Sequence, residues 1–296
     1  MLRRRQADAV APPPPSYSGE VSGQPISRRR LLGLGATAGL TSLAGLSGCS
    51  VTGLELPDQP VDRGRNSPAC VARTSLPRFG KLGSLPLVYE VNRRRSEFAI
   101  EQGFAGQLAT WLGDLADLTG WDLRQLWTYG TWTDGADSCS SWHNAGRAFD
   151  LARLQLDDGQ QVSCRYDQWR TGPDRTMAAA RRRYWALAAS AHKHFAYVLT
   201  YLYNDRHHNH IHLDNGRSGS AMSSFSTRSP AQVQAVQGLL THLWDSPVEI
   251  TGRYDAATRA AIARVLDGLE VSGELTDQPT WVALLDASTR RGAGPG

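Results

Sequence analysis

Apolar residues recur at helical spacing between Phe104 and Leu118, with Leu108, Trp111, Leu112 and Leu115 in the series and Gly120 just past its end. This spacing predicts an amphipathic helix. Leu126 to Tyr129 reads as a strand leading into a loop from Thr131 to Ser140. Asp174 to Lys193 is rich in Ala and Arg, with Trp185 and Leu187 inside it, and reads as a second helix. Phe195 to Tyr203 is aromatic and β-branched, which predicts a strand forming a hairpin with His208 to Leu213 across Asn204 and Asp205. The sum is an α+β domain over residues 86–225, with helices packed on an antiparallel sheet.

A different pattern begins at Ser229. Ser229, Pro230 and Gln232 supply an N-cap, a proline at the first helical position and a capping-box partner, ahead of Val233, Val236, Leu239 and Leu240. A turn from Ile250 to Tyr254 leads to a second helix capped by Asp255 and carrying Ala261, Ile262 and Val265. Gly273 and Thr276 precede a third, with Trp281, Leu284 and Leu285. The expectation is a separate three-helix domain over residues 229–288 and a disordered tail at 289–296.

Residues 1–26, including Pro12 to Pro15, read as a disordered extension. Arg28, Arg29 and Arg30 then stand before an apolar stretch without acidic residues, Gly33 to Gly48, too short to span a membrane as a lasting helix. A basic segment before a short apolar one reads as an export signal, and paired arginines suggest the twin-arginine route. Leu46 to Cys49 resembles a bacterial lipobox, which makes Cys49 the lipidated first residue of the mature protein, anchored by its acyl chains. Residues 27–49 are thus the signal. Residues 50–85, rich in Pro, Gly and Ser, read as a tether.

Charge changes meaning once that leader is set aside. Residues 1–48 hold six arginines against Asp8 and Glu20, a net +4, and the whole chain is also +4. The mature part is therefore formally neutral, and its balance gives no reason to expect a nucleic-acid partner. Cys70, Cys139 and Cys164 remain after Cys49, and an oxidising exterior permits a disulfide. A bridge between Cys139 and Cys164 would brace the segment between them; pairing through Cys70 stays open.

That segment carries the chemistry. Ser141 to Asp150 reads Ser-Trp-His-Asn-Ala-Gly-Arg-Ala-Phe-Asp, with His143 and Asp150 seven residues apart. A second cluster, His207, His208, His210 and His212 followed by Asp214, comes about sixty residues later. Zinc takes imidazole nitrogen and carboxylate oxygen readily, and a catalytic zinc has three protein ligands plus water. One His and one Asp from the first segment with one His from the second would complete such a set. In an extended strand residues i and i+2 share a face, so His210 and His212 would look into one cleft while Ile211 and Leu213 turn to the core.

Ser-x-His-x-x-Gly-x-Ala-x-Asp followed by His-x-His resembles the LAS metallopeptidases, the group of lysostaphin-type enzymes, D-Ala-D-Ala metallopeptidases and sonic hedgehog. The wording Tyr203-Asn204 and then His207 to Asp214 is most similar to the bacterial extensin-like C-terminal domain family, over roughly residues 85 to 220. The resemblance implies a hedgehog/D-Ala-D-Ala-peptidase-like fold in which His143, Asp150 and His212 hold one Zn2+, and His210 faces the attacking water or the oxyanion. Asp214 or Asp205 would fix a ligand histidine's tautomer. D-Ala-D-Ala metallopeptidases carry a Glu as general base three residues before the last His ligand, where this chain has Asn209. His210 or His207 could take that part, because imidazole titrates near neutrality. The helices after Ser229 resemble the peptidoglycan-binding-domain-like family through Gly252, Tyr254, Thr258 and Ala261.

Two readings follow. In one the chain is an exported zinc metallopeptidase, of carboxypeptidase or endopeptidase type, anchored to the outer face of the cytoplasmic membrane and acting on peptidoglycan stem peptides or cross-links. In the other it is a non-catalytic cell-wall-binding or assembly lipoprotein with a structural metal.

Overall fold

The computed structural model describes residues 71–132, 141–216 and 221–294. The extension, the signal with Cys49, most of the tether, Cys70 and Cys139 lie outside the described residues. After a 3-10 turn at Arg73–Ser75, the described residues begin with five short strands: β1 (Arg78–Phe79), β2 (Lys81–Leu82), β3 (Leu85–Tyr89), β4 (Arg94–Arg95) and β5 (Phe98–Ala99). Helix α1 (Gln102–Thr119), β6 (Leu123–Gly130), β7 (Ala148–Leu156), β8 (Gln161–Ser163), the single turn α2 (Tyr166–Trp169) and α3 (Asp174–His194) follow. Then come β9 (Tyr197–Leu199), β10 (Ile211–Asp214), α4 (Pro230–Leu243), α5 (Ala256–Gly268) and α6 (Gln278–Ala293). The fold is mixed α+β. Among the described residues no helix is long and apolar enough to cross a membrane.

The main sheet runs β2-β3-β6-β7-β10-β9, with β4 added to β3 and β8 to β7. It is mixed rather than antiparallel, because β3 and β6 pair in parallel. Helix α1 lies between them in sequence and carries the chain back, so the two strands run the same way. That helix starts where the Glu101 carboxylate accepts the amides of Gly103 and Phe104, and ends at Gly120 with φ 68°. Its apolar face, Leu108, Trp111 and Leu115, is fully buried against the sheet and α3.

Four boundaries differ from the sequence expectation. Residues 71–85 are not tether: Leu82 and Leu85 are buried, and Val71 N–H donates to Asn144 O. The hairpin between β9 and β10 is shorter than expected, since Thr200 takes Leu202 and Tyr203 into a turn and Asn204 caps a 3-10 turn over Asp205–His207. Helix α6 runs to Ala293, holding Thr289 in the core where a tail was expected.

The fourth concerns the C-terminal helices, which are not a separate domain but share one core with the sheet. A Cβ added at Gly238 of α4 would lie 2.2 Å from the Trp185 ring, and one at Gly292 of α6 would lie 2.8 Å from Ala186 Cβ. Both helices therefore touch α3 with bare backbone. Buried Lys193 pairs with Asp114 of α1 and Asp286 of α6, tying three helices at one point.

Candidate metal centre

Each position of the Ser141–Asp150 motif has a local structural task. Ser141 Oγ accepts the His143 amide and caps a 3-10 turn over Trp142–Ala145. Gly146 closes that turn at φ 66°, where a side chain is strained, and a Cβ there would meet Leu76 Cδ1 at 2.5 Å. Ala148, fully buried, stands opposite Asp214 in the β7–β10 ladder. Asp150 stands opposite His212 in the same ladder, so register alone sets the two side chains side by side. Phe149 and Leu213, one residue along, face each other in the core. Thr128 Oγ donates to Asp150 O at 2.8 Å and steadies this edge of β7.

The result is a cluster of three donor atoms. His143 Nε2 lies 3.3 Å from His212 Nδ1 and 3.3 Å from Asp150 Oδ1, and His212 Nδ1 lies 3.0 Å from Asp150 Oδ1. A tetrahedral cation with ligands about 2.0–2.2 Å away needs ligand atoms about 3.3–3.5 Å apart, so the triangle is close to one face of such a polyhedron. Two imidazole nitrogens and a carboxylate oxygen thus converge on one point. These three residues could hold a metal ion.

Surrounding groups prepare the ligands. Asp214, buried, accepts His212 Nε2–H on Oδ2 at 2.8 Å and the Gly216 amide on Oδ1 at 2.8 Å. With Nε2 engaged, His212 offers Nδ1 to the cluster. Burial would raise the Asp150 carboxyl, but hydrogen bonds from His143 and His212 outweigh it and hold the group far below the usual carboxylate range. Burial would lower His212, yet its bonds to Asp150 and Asp214 push it up to about 10.

Two more imidazoles border the cluster. His210 Nε2 lies 3.4 Å from Asp150 Oδ1, its Nδ1 lies 2.6 Å from Asn209 Oδ1, and Tyr129 meets its ring edge-on. The His207 ring sits 5.1 Å from that of His210 and 6.1 Å from that of His212. Burial first, and neighbouring positive charge second, pushes His207 down to about 4; burial lowers His210 as well. Both are neutral near pH 7.

Of the other residues singled out by sequence, Asp205 is on the surface beside His208 and away from the ligands. Cys164 is fully buried in the core, and burial pushes its thiol well up. Its suggested partner Cys139 lies outside the described residues. Sequence reading gave no part in the site to Asn204, placed in the hairpin turn, or to Thr128, placed in a strand. An Asn three residues before a His is the signal that could have pointed to Asn204, since one helical turn brings them together.

Residues 118–223 match the family model described as extensin-like protein C-terminus. That stretch includes both histidine segments and stops before α4. No curated protein and no solved structure matches the chain.

Proposed function

We propose that this chain is an exported, membrane-anchored zinc-dependent hydrolase of amide bonds, acting on peptidoglycan stem peptides or cross-links in the manner of LAS metallopeptidases. The observation that carries the reading is the three-atom cluster of His143 Nε2, Asp150 Oδ1 and His212 Nδ1, with no fourth described residue completing the set. Three protein ligands leave a position for substrate or water, which is the arrangement of catalytic rather than structural zinc sites. Zinc, when bound, polarises a scissile carbonyl and brings the pKa of water toward 7.

The chain's own residues supply the rest. Asp214 keeps His212 in one tautomer and one orientation. His210 and His207 stand beside the ligands and are the groups assigned here to take a proton from the attacking water and return it to the leaving nitrogen, although burial makes both weaker bases than a free imidazole. They are assigned the part that a Glu has in the D-Ala-D-Ala enzymes, where this chain has Asn209. The wall as substrate rests on the expected export signal and lipobox at Cys49 and on the sequence resemblance of residues 229–288 to wall-binding helices, which here share the core of the sheet rather than form a domain of their own. No nucleic-acid partner is proposed.

The test uses the mature protein, zinc-loaded and after chelation, with cross-linked muropeptides and mass spectrometry of the products. Metal-dependent cleavage is expected. Stoichiometric zinc with no product would overturn the hydrolase and leave the non-catalytic wall-binding lipoprotein.

A further inference from the structure

The turn that delivers His207 is built around one side chain. Asn204 has extended backbone, φ −171° and ψ 172°, and caps the 3-10 turn Asp205–His207. Its Oδ1 accepts the Arg206 backbone N–H at 3.0 Å. A backbone amide can only donate, so that atom of Asn204 is the carbonyl oxygen. The same oxygen lies 2.8 Å from His207 Nδ1. A carbonyl oxygen has two lone pairs and no proton, so the contact is a hydrogen bond only if Nδ1 carries the hydrogen.

The consequence follows from imidazole chemistry. A neutral ring with its proton on Nδ1 has its lone pair on Nε2. His207 Nε2 has no hydrogen-bond partner among the described residues and is not sealed from solvent. Tyr203 meets the ring edge-on at 5.4 Å. His210 differs. Its Nε2 faces the Asp150 carboxylate at 3.4 Å, where an N–H is favoured over a lone pair, and Asn209 has no second partner to fix which end of its amide faces the ring.

We infer that Asn204 is a positioning residue, which locks His207 in the Nδ1–H tautomer so that His207 Nε2 is the proton acceptor of the site. The inference rests on the hydrolase reading for its chemical use. The attacking water gives one proton to Nε2, making an imidazolium whose Nδ1–H still donates to Asn204 Oδ1. When the C–N bond breaks, the same proton leaves Nε2 for the departing amine. His210 then serves as an N–H donor toward the developing oxyanion.

The experiment is a two-bond 1H–15N correlation spectrum of the full chain at pH 8, zinc-free and zinc-loaded, with His207 assigned through His207→Gln. The wild type is expected to show His207 as Nδ1–H, and Asn204→Asp, which keeps the acceptor oxygens, to show the same. Asn204→Leu is expected to move His207 to the Nε2–H form, which imidazole prefers in water. A wild-type His207 in the Nε2–H form would overturn the inference. In muropeptide assays Asn204→Leu should lose about 10²-fold or more in kcat, with KM and zinc stoichiometry unchanged. A loss below about threefold, with the tautomer switched, would also overturn the acceptor role. A wild type with the expected tautomer but no hydrolysis would instead sink the hydrolase reading and leave the tautomer assignment standing. Should Asn204→Leu fail to fold, the wild-type and Asn204→Asp spectra still decide.

Discussion

Asp214→Asn isolates what the carboxylate behind His212 contributes. Asp214 answers two donors at once, His212 Nε2–H and Gly216 N–H, each at 2.8 Å. An amide has one oxygen and one NH2 group, so in the variant one donor must face another donor. Leaving a buried donor unmet costs about 1–3 kcal/mol. That range agrees with the 10–100-fold loss of metal affinity usual when such an outer partner is removed. The pH dependence makes the test sharper. In the metal-free wild type His212 is pushed up to about 10, so below that pH a zinc ion must displace a proton from Nδ1. Wild-type affinity should therefore rise about tenfold per pH unit from pH 7 toward that value. The variant holds the proton less tightly and suffers less competition, so its deficit should be smallest at pH 7 and largest at pH 9. Competition against a chromophoric chelator at pH 7, 8 and 9 measures this, with calorimetry in two buffers to count about one proton released at pH 8. A deficit larger at pH 7 than at pH 9 would refute the reasoning.

Other outcomes follow from the same geometry. Because His212 is raised in the folded state, its contribution to metal-free stability is full below about pH 6.5 and is lost as pH rises through about 10. Thermal scans of chelated protein should show Tm falling across that window while the Tm gain on adding zinc grows; a flat metal-free Tm would contradict it. Gly146→Ala puts a Cβ 2.5 Å from Leu76 Cδ1 and 3.1 Å from Glu101 N at φ 66°, and should cost about 2–4 kcal/mol in urea unfolding together with zinc binding. Gly238→Ala places a methyl 2.2 Å from Trp185, and should cost about 1–3 kcal/mol while zinc affinity stays within threefold. Deleting residues 229–296 uncovers the buried face of α3 around Trp185, and should abolish cooperative unfolding in circular dichroism; a cooperative, zinc-binding fragment would show that the helices are dispensable.

The parts legible in the sequence share a cause, and so do those that were not. Helices α1 and α3 could be read because their apolar faces repeat with the local period of the helix, and Gly120 marks a stop that needs no partner. The ligand set was legible through the family resemblance that Ser141–Asp150 and His-x-His carry; the structure adds that Asp150 and His212 meet by register, on the face opposite to buried Phe149, Ile211 and Leu213. What escaped depends on contacts distant in sequence. The parallel pairing of β3 with β6 is set by where α1 returns the chain, which periodicity does not encode. The C-terminal helices carry good local signals of their own, and a compact three-helix unit is what such signals suggest. Their attachment to α3 rests on Gly238 and Gly292, whose value lies in the side chain they lack. Asn209 shows the same limit at the site. Compared by position, it reads as a lost carboxylate; placed in space, it lies against His210, while Asn204 Oδ1 lies 2.8 Å from His207 Nδ1, so the proposed acid–base role falls to imidazoles beside the ligands. A missing Glu therefore argues against one particular base, and not against proton transfer at this centre.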